Sequence, residues 1–322
     1  MATSDYTGTG QVTWDQAAYD KLTYFALRPE LYFDMFADVQ PTNQSMPGTS
    51  VIFNLTADLS VASSTINQSN DVTPVQLSDS QVTVTLGEYG NAVVTTALLR
   101  GTSYIPVDPV VFNVVGFNAG VSLDTIARNT LQNGANVRYG SPGQANTAAG
   151  RTTIIPTNTL AATAVRRALA DLRGGNVSTF GGYYTAVIHP DQAYDLRGET
   201  GAAAWRDPHT YSQPDQIWTG EVGAFEGFRF IESPRAPVFA DAGSSTTLTD
   251  VYAALFFGRQ AMAKAYSYTD GNGAFPRLVA GPVTDMLRRQ QPYGWYWLGG
   301  YKEFRAASLR RVETASSIGV NS

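Results

Sequence analysis

"VIFNLTADLSVASSTINQSNDVTPVQLSDSQVTVTL", residues 51–86, consists of two runs of alternating residues around a middle rich in Ser, Asn, Gln and Asp. Alternation of apolar and polar residues with a period of two predicts β-strands, so the stretch predicts a long hairpin or extended loop. Its polar middle has too few apolar residues to pack on itself, and an isolated two-stranded ribbon is marginally stable in water. We therefore expect this loop to lie against another chain.

Helices and further strands are predicted on the carboxyl side of the loop. Residues 107–134 carry apolar side chains at spacings of three and four, with Asp-Pro at the start and Asn-Gly at the end, which predicts a long helix. A second helix is predicted within "TNTLAATAVRRALADLRGG", residues 157–175, with the stripe Leu160, Ala164, Ala168 and Leu172. "YYTAVIHP" predicts a buried strand, and "DQAYDLRG" after it predicts a short helix. The order of elements indicates an α+β fold.

Length and composition limit the class of protein. The chain has 322 residues and 34.6 kDa, which corresponds to one large or two modest domains. There is no signal-peptide start and no run of eighteen apolar residues, so we expect a soluble chain without a membrane partner. Cysteine is absent, which excludes disulfides, thiolate metal sites and a cysteine nucleophile.

Charge is distributed unevenly along the chain. The formal net charge is −5, yet residues 29–99 contain seven acidic residues and no Lys or Arg, which gives that segment −7. Residues 288–311 contain six basic residues and one acidic residue, a balance of +5. Of the 22 basic residues 19 are arginine, the side chain suited to bidentate and partly buried ion pairs.

Candidate catalytic groups are scarce. His189 precedes a proline at the end of an apolar strand, which favours a structural or helix-entry role, and His209 lies in a turn-rich loop. Neither histidine has the partner at i+4 that a zinc site requires, and no phosphate-binding loop or nucleophile elbow occurs. We therefore predict no catalytic, cofactor or metal site.

Three stretches resemble one branch of a known family: "GEVGAFEGFRFIESP", "VYAALFFGRQAMAKAYS" and "VTDMLRRQQPYGWYWLGGYKEFRAASLRRVE". Together with the order of elements, they make the chain similar to the major capsid protein of tailed bacteriophages, which has the Hong Kong 97-like fold. The resemblance implies an N-terminal arm, an extended β-hairpin loop, a peripheral domain with a long spine helix, and an axial α/β domain. The implied boundaries are 1–45 for the arm, 46–86 for the loop, 87–155 with 275–322 for the peripheral domain, and 156–274 for the axial domain.

The resemblance also implies the function and its partners. The protein would self-assemble into pentamers and hexamers of an icosahedral phage head in the virion, enclosing double-stranded DNA without base specificity. Scaffolding, decoration and portal proteins would be further partners, and the chain would not be an enzyme. An encapsulin-like compartment shell shares the fold and stays an alternative, as does a phage protein that binds or hydrolyses glycans.

Specific contacts follow from the family arrangement, in which the extended loop lies over the peripheral domain of a neighbouring subunit. Complementary charge leads us to expect Asp58, Asp71 and Asp79 of the loop to meet Arg305, Arg310 and Arg311 of a neighbour; the competing interpretation turns these arginines toward DNA. In some members of the family that the chain resembles, a lysine of the extended loop is joined covalently to an asparagine. Residues 46–86 contain no lysine, so we expect a shell without such cross-links, and we expect no large prohead cleavage. The hinges between the loop and the body are predicted at Pro47, Gly48, Gly87 and Gly90.

Overall fold

The computed structural model describes residues 31–42, 49–63, 65–66, 68–69, 71–72, 74–103, 107–141, 144–145, 150–199, 224–244, 248–267, 273–283 and 285–318. The sequence also predicts a short helix that starts near Thr13 or Asp15 and stops before Pro29. This segment, the hinge candidates Pro47 and Gly48, and His209 lie outside the described residues. The helices are α1 (Ala97–Thr102), α2 (Val107–Gln132), α3 (Ala162–Gly174) and α4 (Pro190–Gly198). The strands are β1 (Asp38–Thr42), β2 (Ser50–Thr56), β3 (Asp79–Thr85), β4 (Gly87–Thr96), β5 (Val137–Ser141), β6 (Gln144–Ala145), β7 (Tyr184–Ile188), β8 (Ala224–Phe225), β9 (Phe228–Glu232), β10 (Val238–Phe239), β11 (Val251–Phe257), β12 (Met262–Ser267), β13 (Arg277–Ala280), β14 (Gln290–Glu303) and β15 (Leu309–Thr314).

The first sheet is built around the long strand β14, which pairs antiparallel with β4, β12 and β13. Strand β1 extends this sheet by parallel pairing with β12. One face of β14 presents Trp295 and Trp297, and the helix α2 packs its residues Val115, Ala119 and Leu123 against them. This contact joins the helix and the sheet into one core.

Helix α2 confirms the predicted element and divides its apolar positions between two environments. Val111 and Val115, one predicted set, pack in the core, whereas Val114 of the other set, Val110, Val114, Phe117 and Val121, is 47% exposed. Within the described part of the chain, α2 is the one helix long and apolar enough to be a candidate membrane span. One side of α2 packs on Trp295 and Trp297 of the first sheet.

The second sheet runs in the order β6, β5, β15, β11, β7, β9 and β8, with β10 added to β11. Helix α3 packs its predicted stripe on this sheet, and Ala164, Ala168 and Leu172 are buried against it. Helix α4 begins after His189, whose Nδ1 accepts a hydrogen bond from the Asp191 amide at 3.3 Å. The helix-entry role predicted for His189 is therefore confirmed.

Sheet membership crosses the expected division by sequence position at β5, β6, β12 and β15, and the domain boundaries themselves stay a prediction. Strand β12 lies within the expected axial segment 156–274 but pairs with β14 in the first sheet. Strand β15 lies within the expected peripheral segment but pairs with β11 and β5 in the second sheet. The chain crosses between the sheets at these points because strand pairing is decided by long-range contacts that a division by sequence position does not include.

The hairpin of β2 and β3 forms a third, separate sheet, as the alternating runs predict. Its register runs from Ser50 opposite Thr85 to Thr56 opposite Asp79. Described residues between 57 and 78 lie in neither helix nor strand, and we call residues 57–78 the hairpin end.

Candidate assembly interface

The base of the hairpin packs on the body of its own chain. Phe53 and Val84 are buried against Ala263 and Ala265 of β12, and the Phe53 ring lies 5.3 Å from the Phe304 ring. Gly300 of β14 permits the close approach, because a Cβ at this position would overlap the Thr85 carbonyl oxygen. The hairpin therefore leaves the body from a fixed position.

The hairpin end presents large apolar side chains to solvent. Val61 is the most exposed of them, at 89%. Six large apolar side chains exposed within one segment favour a contact with a protein partner. The other large exposed apolar residues of the hairpin end are Leu59, Ile66, Val72, Val75 and Leu77.

Acidic side chains accompany these apolar residues. Asp58, Asp71 and Asp79 are all exposed, and Asp71 makes only a local hydrogen bond, accepting from the Val72 amide at 2.8 Å among the described residues. No ion pair joins any of these three carboxylates to another described residue. The surface that combines apolar and acidic side chains is therefore unpartnered within the described chain.

The three arginines predicted to receive these acids occupy different environments. Arg305 is exposed, and its backbone amide donates to the Gln260 carbonyl at 3.0 Å. The Arg310 side chain is half-buried, with its Nε 3.7 Å from Asp171 Oδ2. Arg311 is 8% exposed, and its Nε lies 2.8 Å from Glu313 Oε1 without the alignment of a hydrogen bond.

This placement corrects the expectation for Arg311. Its guanidinium faces the interior of its own subunit, where Nη1 also donates to the Gly134 carbonyl at 3.4 Å. Adjacent residues of a strand point to opposite faces, so Arg310 and Arg311 cannot serve the same surface. Counting charge along the sequence does not include this alternation.

Arginine is used inside the subunit in a recurring arrangement of two guanidinium groups around one carboxylate. Arg151 forms two hydrogen bonds of 2.7 Å with Glu313, which also contacts Arg311; this hydrogen bonding raises the pKa of Arg151. Arg138 and Arg310 share Asp171 in the same manner. These two clusters use four of the 19 arginines.

A third cluster lies on helix α2. Arg235 Nε donates to Asp124 Oδ2 at 3.0 Å, and Arg128 Nη1 donates to the Arg235 carbonyl at 3.2 Å. Burial, followed by the nearby Arg235 charge, lowers the pKa of Arg128. Asp124 also accepts the Phe33 amide at 2.8 Å, so the cluster ties residues 31–42 to the helix.

A buried lysine anchors the same segment to the first sheet. Lys264 of β12 is buried, with its Nζ 2.7 Å from Asp34 Oδ1, and the Tyr301 hydroxyl donates to the same oxygen. Burial, followed by the Asp34 charge, raises the pKa of Tyr301. Sequence analysis missed this pair, although a lone lysine inside the apolar strand "MAKAYS" was a signal for a buried ion pair.

The two described hinge candidates lie in strand β4. Gly90 pairs with Tyr296, and a Cβ at Gly90 would lie 2.8 Å from the Trp295 carbonyl oxygen. The glycine at this position thus has a packing explanation. Gly87 is the first residue of β4, opposite Gly299, and its hinge role stays a prediction.

The described residues show no cluster of metal ligands, and the histidine among them has a structural explanation. They contain no group of three or more His, Asp or Glu side chains arranged to hold a metal ion. Burial lowers the pKa of His189, and the charges of Asp191 and Glu232 oppose that effect. The imidazole is therefore held in the neutral form that accepts the cap hydrogen bond.

The model of a family described as phage capsid protein matches residues 10–318. No curated protein matches the sequence.

Solved structures of three phage capsids share the fold over almost the whole chain. The capsid of Ralstonia phage GP4 is 16% identical, with a TM-score of 0.70 and coverage of 98% of both chains. The cyanophage Pam1 capsid is 15% identical, with a TM-score of 0.72 and coverage of 98% of this chain and 100% of the other. The capsid of Helicobacter pylori bacteriophage KHP30 is 11% identical, with a TM-score of 0.72 and coverage of 98% and 99%.

Proposed function

The chain belongs to the phage capsid protein family, and from this membership we propose that it forms the pentamers and hexamers of an icosahedral head that encloses double-stranded DNA. It is a major capsid protein, and its place is the capsid of the virion. We further propose that it has no catalytic activity and that scaffolding, decoration and portal proteins are partners during assembly. The family membership supports a structural role.

One observation carries the proposal: the hairpin end exposes apolar and acidic side chains together. In a subunit that stayed monomeric, Val61, Ile66 and Val75 would remain exposed to water, which is unfavourable for apolar side chains. In the proposed shell, the hairpin end of one subunit lies on the body of the next. The half-exposed stripe of α2 around Val114 is a second surface suited to such contacts.

Apolar contacts supply most of the stabilisation in this arrangement. Burying a Val, Leu or Ile side chain contributes about 1.5–3 kcal/mol, whereas an exposed ion pair contributes about 0–1 kcal/mol. The acids Asp58, Asp71 and Asp79 therefore select the register of docking rather than supply its strength. Of the three arginines predicted as partners, Arg305 is the one that is exposed and can reach a neighbouring subunit.

A charge exchange tests the docking. Replacing Asp58, Asp71 and Asp79 by lysine should block assembly at moderate salt, and adding Arg305→Glu to the same chain should partly restore it. Glu88→Lys, which changes an exposed acid outside the hairpin end, is the matched control and should still assemble. If the combined variant forms no more particles than the triple variant, as counted by electron microscopy, the pairing with Arg305 is wrong.

Lysine chemistry gives an independent expectation for the finished shell. The chain has three lysines, none lies in residues 46–86, and Lys264 is buried in its ion pair with Asp34. The shell should therefore be held together without covalent links. Boiled, denatured particles should migrate as single chains of 34.6 kDa, and a ladder of linked multimers would contradict this expectation.

A further inference from the structure

A small basic pocket lies at the edge of the second sheet. It has a volume of about 250 Å³ and is lined by Ala135, Asn136, Val137, Arg138 and Arg310. We propose that this pocket binds a phosphate group of the nucleic acid enclosed by the shell. The inference rests on the proposed enclosure of DNA and adds a specific contact to it.

Two guanidinium groups and one carboxylate define the charge of the pocket. Arg138 binds Asp171 with two hydrogen bonds, of which the one from Nη2 to Oδ1 is 2.8 Å long. Arg310 lies at a longer distance from the same carboxylate, with 3.7 Å between Nε and Oδ2. Asp171 thus neutralises one arginine and leaves one positive charge facing the pocket.

The donors of the pocket are held in place before any ligand arrives. Asp171 on α3 fixes Arg138 on β5, and the Asn136 side chain donates to the Ala306 carbonyl. Among the described residues, Arg138 Nη1 and Arg310 Nη2 make no hydrogen bond. Arginine donors fixed by a neighbouring carboxylate lose little freedom on binding, and their planar fork matches the oxygens of a phosphate.

The cluster of Arg151, Arg311 and Glu313 lacks this arrangement. Arg311 is buried beside Glu313, and the Arg151 guanidinium stacks on the Phe239 ring at 3.5 Å. The pocket at Arg138 and Arg310 therefore combines a surplus positive charge with space for an anion. A subunit of net charge −5 repels DNA as a whole, so a phosphate contact must be local, as this one is.

Binding of a short fluorescent DNA duplex to the full chain, measured over a series of salt concentrations, tests the proposal. Arg310→Gln removes the surplus charge and leaves the Arg138–Asp171 pair intact. This variant should bind the duplex several-fold more weakly at low salt, and its log–log salt slope should be smaller by about 0.9 for the lost phosphate contact. Arg197→Gln removes one charge from an arginine that is 45% exposed elsewhere, and it should bind like the unchanged chain.

Asp171→Asn provides a readout that misfolding cannot imitate. Removing the carboxylate leaves two uncompensated guanidinium groups, so this variant should bind the duplex more tightly than the unchanged chain. Equal losses for Arg310→Gln and Arg197→Gln, or weaker binding by Asp171→Asn, would overturn the proposal.

Inorganic phosphate distinguishes the two sources of the ligand. It should raise the melting temperature of the unchanged chain above that in chloride at equal ionic strength, and it should compete with the duplex. If inorganic phosphate binds and the duplex does not, the pocket is a site for a free anion and the assignment to nucleic acid is wrong. Electron microscopy of the same preparations reports shell formation separately, so failure of DNA binding is distinguished from failure of the proposed function.

Discussion

The strand β14 and the hairpin end use apolar residues in opposite ways. In β14, Trp297 is completely buried between α2 and neighbouring strands, whereas Val61 in the hairpin end is 89% exposed. The core around β14 buries its large apolar side chains within one chain. The hairpin end can bury its own only against another molecule, which for a capsid subunit is another copy.

Charged residues show the same contrast. Asp124 is buried and bound by Arg235 and the Phe33 amide, whereas Asp58, Asp71 and Asp79 are exposed. The buried Asp124 therefore holds the subunit together, whereas Asp58 and Asp71 of the hairpin end and Asp79 at the start of β3 are available to a neighbour. The following predictions test this division, in order of their expected effect on the stability of the single subunit.

Asp124→Ala should have the largest effect. It leaves Arg235 without its buried partner and the Phe33 amide without an acceptor, which should lower the free energy of unfolding by about 3–5 kcal/mol. Urea unfolding of the unassembled chain measures this change. Asp58→Ala is the matched control and should change the same quantity by less than about 0.5 kcal/mol; equal effects would abolish the distinction between the two regions.

Gly300→Ala should act on the junction between the regions. The added methyl group overlaps the Thr85 carbonyl oxygen, so the hairpin base must shift from the first sheet, at a cost of about 1–3 kcal/mol. Assembly should fall more than subunit stability, because the hairpin end is redirected. Gly101→Ala, where the methyl group meets no atom within 4 Å, should leave both unchanged or slightly improve stability.

His189→Asn should have a smaller effect that depends on pH. Burial lowers the pKa of His189 in the folded chain below the ordinary value of 6.5, so the unfolded chain binds more protons between these two pKa values. The unfolding free energy of the unchanged chain should therefore fall as the pH decreases from 6.5 toward the folded pKa. Asparagine can cap α4 without titrating, and chemical unfolding across this range should show a weaker pH dependence for the variant.

Val61→Ser with Ile66→Ser should have the smallest effect on the subunit and a large effect on assembly. Both side chains are exposed, so the unfolding free energy should change by less than about 0.5 kcal/mol. Particle yield by light scattering should nevertheless drop strongly, because the interface loses apolar contacts. Leu248→Ser, an exposed apolar change in the body, serves as the control, and an equal drop there would show that the hairpin end has no special role.

Local features of the fold were predictable from the sequence because they depend on periodicity and on end signals. The hairpin strands, α2, the stripe of α3 and the cap at His189 all follow from such patterns. The stretch "EVGAFEGFRFIESP" reads as one strand, but Glu226 and Gly227 have positive φ angles of 49° and 78° and turn the chain between β8 and β9. The Glu-Gly pair inside the apolar run was the signal for this turn.

Long-range features were not predictable in the same way. Pairing of β12 with β14, and of β15 with β11, joins distant segments and depends on the packing of whole sheets. For the interface, the excess of acidic and basic residues was visible, but the side that each arginine faces was not. Arg305, Arg310 and Arg311 are neighbours in the sequence, yet one is exposed, one lines a pocket and one is buried.

Electron cryomicroscopy of particles formed by the full chain tests the central claim most directly. The account predicts closed icosahedral shells in which the hairpin end of each subunit lies on the body of a neighbour, with Leu59, Val61 and Ile66 covered. Asp58, Asp71 or Asp79 should then lie within about 10 Å, the Debye length at 0.1 M salt, of a neighbouring Arg305. Particles whose hairpin ends remain exposed to solvent, or a chain that stays monomeric or trimeric under assembly conditions, would contradict it.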